Sequence, residues 1–381
     1  MARVHVLRGQ DRVFGFTLDE QGANLPRQYG PWTTFKTIEL YHDEPYQGVD
    51  VSVCLDDISK YGFHLTAAHK RITDLAVGSV PVVSERALVL GGAGATGNAW
   101  LIGVIAGLFE SGLDVTEADL IIGTSAGSTA AAQITSGTRP TELLAEILSA
   151  APPQRTGPIR ADGGRAPIGP AADHMERMNA IIAAAEDAAD MRRRMGAAAL
   201  ETDAASHRSA QAQWRTTIAA RLPSQLWPQR RLLIPAVDAH TGEPVVFDRH
   251  SGVDLVDAVA ASTSNGFGVP PYSIGDRRYI NGGYRRNENA DLAAGYARVL
   301  VLSPFGGRSL HPLDWGTHLA AQVDELRAGG SRVETIFPDS NSQNVLGGGM
   351  EAMDLSRRRP SAQAGYTQGG ALAEQLSEFW R

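Results

Sequence analysis

Cysteine occurs once in 381 residues, as Cys54, so no disulfide can form within the chain, which fits a reducing compartment. Lysine is nearly as scarce. Lys36, Lys60 and Lys70 are the whole supply, and arginine carries the positive charge from there on. A basic surplus is missing too, because the formal charge is -7, and this removes the electrostatic footprint of a nucleic-acid binder. No apolar run approaches the ~20 residues needed to span a bilayer, and Met1 to Gln10 lacks the apolar core of a secretory leader. These absences predict a cytoplasmic protein, with peripheral membrane contact left open. His64 and His69 have no neighbouring cluster of cysteine, histidine or carboxylate to complete a metal site, so they read as solvated or hydrogen-bonded side chains.

What the chain does have is glycine at the ends of two apolar runs. Ala87, Leu88, Val89 and Leu90 lead directly into Gly91, Gly92, Ala93, Gly94, Ala95, Thr96 and Gly97, the pattern of a buried strand delivering a tight turn. Ala99, Trp100, Leu101, Ile102, Val104, Ile105, Leu108 and Phe109 then cover most of a helix circumference, which predicts burial on several sides. A second strand, Asp119 to Ile122, ends in Gly123, Thr124, Ser125, Ala126, Gly127. In this GxSxG pentapeptide the glycines permit a sharp strand-to-helix turn that presents the serine at its tip. Alone, the pentapeptide also fits a serine that merely closes a corner. The first turn has two meanings as well. A dinucleotide site needs a carboxylate at the tip of the second strand to hold the ribose, and Gly123, Thr124 and Ser125 supply none. An oxyanion hole made of backbone N–H groups fits a loop beside a serine elbow better.

In these motifs the chain resembles the patatin-like phospholipases. That family carries a GGGxRG or GGGxKG oxyanion loop, a GxSxG elbow and, far downstream, a DGG or DGA motif whose aspartate completes a Ser-Asp dyad. Gly92, Ala93, Gly94, Ala95, Thr96 and Gly97 match the first motif, with Ala93 in place of a glycine and Thr96 in place of the basic residue. Ser125 matches the nucleophile. Tyr279, Ile280, Asn281, Gly282, Gly283 stands where YIDGG is expected, so the base position holds an amide. The resemblance implies Ser125 and Asn281 as the dyad positions, and an oxyanion hole at Gly92, Ala93, Gly94 and Ala95. Gly97, Gly123, Gly127, Gly282 and Gly283 would support the turns. It also implies a phospholipid or other acyl-ester substrate and no metal or organic cofactor.

Asparagine has the shape of aspartate, but its amide oxygen is far too weak a base to take the serine proton. Three explanations follow. The site is correctly shaped but slow; or another carboxylate serves, with Asp276 and Asp291 nearest in sequence; or Asn281 deamidates, as the Asn281–Gly282 dipeptide favours. A pocket that binds lipid without cleaving it is an alternative of a different class, favoured by Asn281 and Thr96. A further alternative is a Ser-His-Asp esterase using His240, His250, His311 or His318, oriented by Asp238 or Asp248.

The fold expected is α/β, a patatin-like layered arrangement with a mostly parallel central sheet flanked by helices, plus a small N-terminal α+β module. Residues 1–80 form that module, of unassigned role, and 81–381 the acyl hydrolase domain, divided near Gly78, Ser79, Val80 and Pro81. In the module, Val13 to Thr17 reads as a strand, and Asp50 as the cap of a helix to Tyr61 with Val51, Cys54, Leu55 and Ile58 on one face. Residues 172–220, rich in alanine, methionine and arginine, read as helices packed on the catalytic layer or as a cap over the serine. Strands are expected at Leu232 to Asp238, Pro244 to Phe247, Arg278 to Ile280 and Val299 to Leu302, and a mainly helical tail from Asp314.

Overall fold

The computed structural model describes residues 2–9, 13–40, 51–67, 85–150, 170–202, 207–266, 268–347 and 349–381. The expected cap Asp50, the linker at Gly78 to Pro81, the loop before Pro170 and His69 lie outside the described residues. The chain divides into two compact units, Met1–Asp74 and Leu75–Arg381.

The first unit is an antiparallel sheet with one helix. Its strands are β1 (Ala2–Arg8), β2 (Val13–Thr17), β3 (Thr33–Leu40) and β4 (Phe63–Ala67), in the order β3-β1-β2-β4. Alternation puts Val4 and Val6 on one face of β1, where they bury with Phe16, Ile38 and Leu40 against α1 (Val51–Tyr61). Val51, Cys54 and Ile58 recur at helical spacing and form the buried stripe of α1. His64 pairs through Nδ1 with Asp57 at 2.7 Å.

The second unit is organised by a parallel sheet whose central strands are mostly apolar. β5 (Arg86–Leu90), β6 (Leu120–Gly123), β7 (Arg231–Asp238), β11 (Arg298–Leu302) and β12 (Arg332–Ile336) pair in parallel, in the order β12-β11-β5-β6-β7. Such strands need cover on both faces, which is why β5, β6 and β11 read as unbroken hydrophobic runs. β10 (Arg277–Asn281) adds antiparallel to β7, followed by β9 (Tyr272–Ile274), while β8 (Pro244–Phe247) also pairs with β7. The result is a mostly parallel α/β sheet with an antiparallel edge.

The helix after β5, α2 (Gly94–Glu110), is buried from Thr96 through Leu108, as its apolar circumference predicts. It packs along the C-terminal helix α11 (Arg358–Trp380) at backbone distance. A Cβ on Gly103 would strike Ala362 O, one on Gly107 Tyr366 O, and one on Gly369 Val104 O. Two small-residue stripes therefore let the two helices interlock.

The helices that follow are α3 (Ala126–Ile134), α4 (Pro140–Ser149), α5 (Pro170–Ala184), α6 (Ala188–Thr202), α7 (His207–Ala219) and α8 (Leu255–Thr263). Met191, Met195 and Ala199 of α6 bury with Val237, Ala239 and Ile280, and Trp214 Nε1 of α7 donates to Ala260 O at 3.3 Å. The tail holds α9 (Leu319–Ala328), α10 (Ser340–Leu346) and α11, but it is not helical throughout. β12 lies within it as the edge strand, its Val333 and Ile336 buried and Arg332 exposed.

Candidate active site

Ser125 sits between β6 and α3 with φ 53° and ψ -119°, one of two positive-φ non-glycine residues among those described. Such a conformation costs on the order of 1–3 kcal/mol and persists only where the surroundings enforce it. The enforcement is steric and polar. A Cβ at Gly127 would collide with Leu90 O, and one at Gly123 would lie 2.7 Å from the Ser128 Cα, so α3 can begin against β5 only with glycine at both places. The Ser125 N–H donates to Ser262 Oγ on α8 at 3.0 Å, and Thr124 N–H donates to Leu90 O at 3.0 Å.

β10 delivers Asn281 to this turn. Paired with Ala236 of β7, Asn281 ends its strand, and its backbone N–H donates to Ser264 O at 2.7 Å. Its side chain caps the short 3-10 turn Gly282–Tyr284, with Oδ1 accepting from Gly283 N–H at 2.8 Å. The amide nitrogen is left facing Ser125 Oγ, to which it donates at 2.9 Å. Because a backbone N–H can only donate, it fixes which end of the amide meets the serine. Gly282 lies so close to Pro235 that a Cβ would overlap the Pro235 carbonyl, and this seats the turn under Asn281.

The glycine loop rests on the same corner: a Cβ on Gly92 would come within 3.1 Å of Ser125 Cβ. Gly91 N–H donates to Leu302 O at 3.0 Å and Gly92 N–H to Asn287 O at 3.2 Å. Gly92 thus anchors the loop, and its N–H is already committed, unlike the other three expected donors. Ala93, Gly94 and Ala95 precede the first hydrogen bond of α2, Gly97 N–H to Ala93 O at 3.1 Å, so their N–H groups have no acceptor in their own helix. Gly94 holds φ 60° and packs beneath Ala352 and Met353. The first turn of α2 contains no acidic side chain, which leaves the positive end of the helix dipole uncompensated beside Ser125.

Sequence reasoning missed the segment that ties loop and elbow together. Asn287 Nδ2 donates to Gly92 O at 3.2 Å and to Glu288 Oε1 at 3.0 Å, and Ser303 Oγ donates to the same Oε1 at 2.6 Å. Asn289 Nδ2 reaches Thr124 Oγ1 at 3.0 Å. Glu288 is 1% exposed, and burial pushes its carboxyl above the usual carboxylate range. The polar run Arg285, Arg286, Asn287, Glu288, Asn289 after the glycine turn was the one available signal.

The other candidates are engaged elsewhere. Asp291 ion-pairs with Arg285 and with Arg286 (3.4 Å), and these guanidinium groups hold its carboxyl below the ordinary range despite burial. It lies inside the 3-10 turn Ala290–Ala293, whose cap is Asn289. Asp276 precedes β10, at the opposite end from Asn281. Asp238 and Asp248 accept the backbone N–H of His240 and His250, each at 2.9 Å. His318 Nε2 donates to His311 O at 2.7 Å, and His311 is pushed down to about 4, chiefly by burial. Among the described residues the Ser125 hydroxyl is paired with an amide and not with an imidazole.

Residues 88–294 match the family described as Patatin-like phospholipase, more than half of the chain. Two solved structures are similar. VipD from Legionella pneumophila shares 13% identity over 78% of this chain and 68% of its own, with a TM-score of 0.35. The type III effector protein ExoU shares 15% identity over 76% of this chain and 54% of its own, with a TM-score of 0.30. No curated protein matches the chain.

Proposed function

Because the chain belongs to the patatin-like phospholipase family, we propose that it is a serine lipid acyl hydrolase whose base position is occupied by Asn281 and whose turnover is correspondingly slow. Ser125 Oγ attacks the ester carbonyl carbon, the ester C–O bond breaks as the proton given up by the serine hydroxyl ends on the leaving alcohol, and water then releases the acid from the acyl-enzyme and returns a proton to Ser125. Charge developing on the carbonyl oxygen falls to the N–H groups of Ala93, Gly94 and Ala95 at the head of α2. The substrate is a phospholipid or another acyl ester, met at a membrane surface without a spanning helix: among the described residues no helix is long and apolar enough to cross a bilayer.

The observation that carries this reading is the 2.9 Å hydrogen bond between Ser125 Oγ and Asn281 at the strained tip of the elbow. It also supports a second reading. An amide that donates to the serine oxygen cannot take its proton, so the pocket would bind lipid and not turn it over.

The test is hydrolysis of a short chromogenic acyl ester by the native chain, Ser125→Ala and Asn281→Asp, with the mass of the peptide holding residue 281 checked for deamidation. Restoring a base should raise the rate by on the order of 10⁴-fold. Ser125→Ala should remove what activity the native chain has. A native rate that Ser125→Ala does not lower, with no gain in Asn281→Asp, would discard the hydrolase reading.

A further inference from the structure

The parallel strands of the second unit end on one edge of the sheet, and that edge carries the serine turn. β5 runs into Gly91, β6 into Thr124 and Ser125, β11 into Ser303 and β12 into Phe337. α11 runs parallel to α2, since Gly103 meets Ala362 and Gly107 meets Tyr366, so the residues just before α11 reach this edge as well. Among the described residues of this unit, six large apolar side chains are exposed, and five of them belong to that edge. Leu310 (53% exposed) and Leu313 (79%) follow β11, Phe337 (42%) follows β12, and Met353 (58%) and Leu355 (49%) precede α11. The sixth, Leu226, lies ahead of β7 at the opposite edge. Apolar side chains scattered singly need no explanation, but a gathering around one edge marks an interaction surface.

Contacts tie these residues to the site. A Cβ on Gly94 would lie 2.9 Å from Met353 Sδ, so Met353 borders the loop of expected oxyanion donors. Cβ atoms on Gly91 and Gly97 would lie 3.5 and 3.3 Å from the Pro304 ring, and one on Gly307 would lie 3.5 Å from Phe337 Cε1. Trp315, in the 3-10 turn Leu313–Trp315, packs against the cluster that holds Ile280 and Tyr284, on either side of Asn281 in the chain. Charge does not select the partner: residues 303–318, 337–347 and 349–359 together carry four arginines and four carboxylates. A face with balanced charge and exposed leucine, phenylalanine and methionine fits the headgroup boundary of a zwitterionic bilayer, where binding grows with the apolar area buried. Anionic lipid would call for a basic surplus.

We infer that Leu310, Leu313, Phe337, Met353 and Leu355 form an interfacial surface that seats the serine turn on a zwitterionic phospholipid bilayer. The choice of lipid as partner rests on the hydrolase reading. Binding is measured without turnover, so the surface and the reaction stand or fall separately.

The experiment uses the full chain as the native protein, Leu313→Asp, Leu355→Asp, their double variant and Leu226→Asp. Flotation with phosphatidylcholine vesicles is followed at low and at high salt, and mass in solution is followed by light scattering without lipid. The native chain should float at both salt concentrations, because exposed charge pairs are screened and apolar burial is not. Each edge variant should lower the partition coefficient about tenfold and the double variant about a hundredfold, while Leu226→Asp floats with the native chain. All four variants should melt with the native chain, since these side chains meet solvent. Native protein that stays off phosphatidylcholine, flotation that needs anionic lipid and disappears at high salt, or an equal loss in Leu226→Asp would overturn the inference. A native dimer that the double variant splits would assign the face to a second copy of the chain and overturn it too. Flotation lost in the edge variants, by a chain that cleaves no ester even as Asn281→Asp, would support the surface and strike the hydrolase reading alone.

Discussion

Asn281 meets Ser125 with its nitrogen because Gly283 N–H has already claimed its oxygen. A carboxylate in the same pose would keep the Gly283 bond and turn an acceptor toward the serine, so a single atom decides whether the hydroxyl is polarised. Glu288 is a second residue at this corner, and its protonation matters. Its folded carboxyl is raised above the unfolded value of ~4.3, so the folded state holds the proton longer. Stability contributed by the protonated form is therefore lost as pH rises from the unfolded value to the folded one. We expect Glu288→Gln, which keeps an oxygen for Ser303 and Asn287, to melt progressively above the native protein as pH increases. A gap that does not widen between mildly acidic and alkaline pH would refute that role. Cys54 is a third case. Burial and the nearby Asp57 push its thiol up to about 12, so the thiolate is scarce at neutral pH. A thiol reagent should leave the native chain unlabelled and modify one site after denaturation.

Elements differ in how openly the sequence states them. β5, β6 and β11 were legible because parallel strands buried on both faces must be continuously apolar. The serine elbow and the Asn281 turn were legible because close backbone approach demands glycine at fixed offsets. β12 was not, since an edge strand reading Arg332, Val333, Glu334, Thr335, Ile336 carries only a weak alternation inside a tail of helices. The clamp formed by Asn287, Glu288 and Asn289 was hidden for another reason: its partners, Gly92 and Thr124, are more than 160 residues away. The contact between α2 and α11 belongs to this hidden class too: Gly103 and Gly107 lie against the backbone of Ala362, Tyr366 and Gly370, and Gly365 and Gly369 against that of Trp100 and Val104. Adding a side chain there must separate two buried helices. Gly107→Leu should cost about 1–3 kcal/mol or more, read as a fall in the urea midpoint at unchanged slope. Gly112→Ala, where a Cβ meets nothing within 4 Å, is the control for space but holds φ 87°, so its smaller loss reports backbone strain alone.

At the scale of the molecule, the family match at 88–294 falls wholly within the unit Leu75–Arg381, and so do Ser125 and Asn281. That unit has its own sheet and its own core, drawn from β5 to α11, while the first unit closes a separate core around Val4, Phe16 and Cys54. The distribution of lysine makes their independence testable without redesigning the chain. Lys36, Lys60 and Lys70 all lie in Met1–Asp74, so a lysine-specific protease has no cleavage site beyond Lys70, four residues before the unit boundary. Digestion should stop at a fragment beginning with Arg71, and that fragment should melt cooperatively. If the second unit folds on its own core, a fluorophosphonate probe will label Ser125 in the fragment at the rate seen in the whole chain. A fragment that aggregates or loses labelling would mean that the first unit supports the serine turn, and the search for its role would then begin at the site and not at a partner.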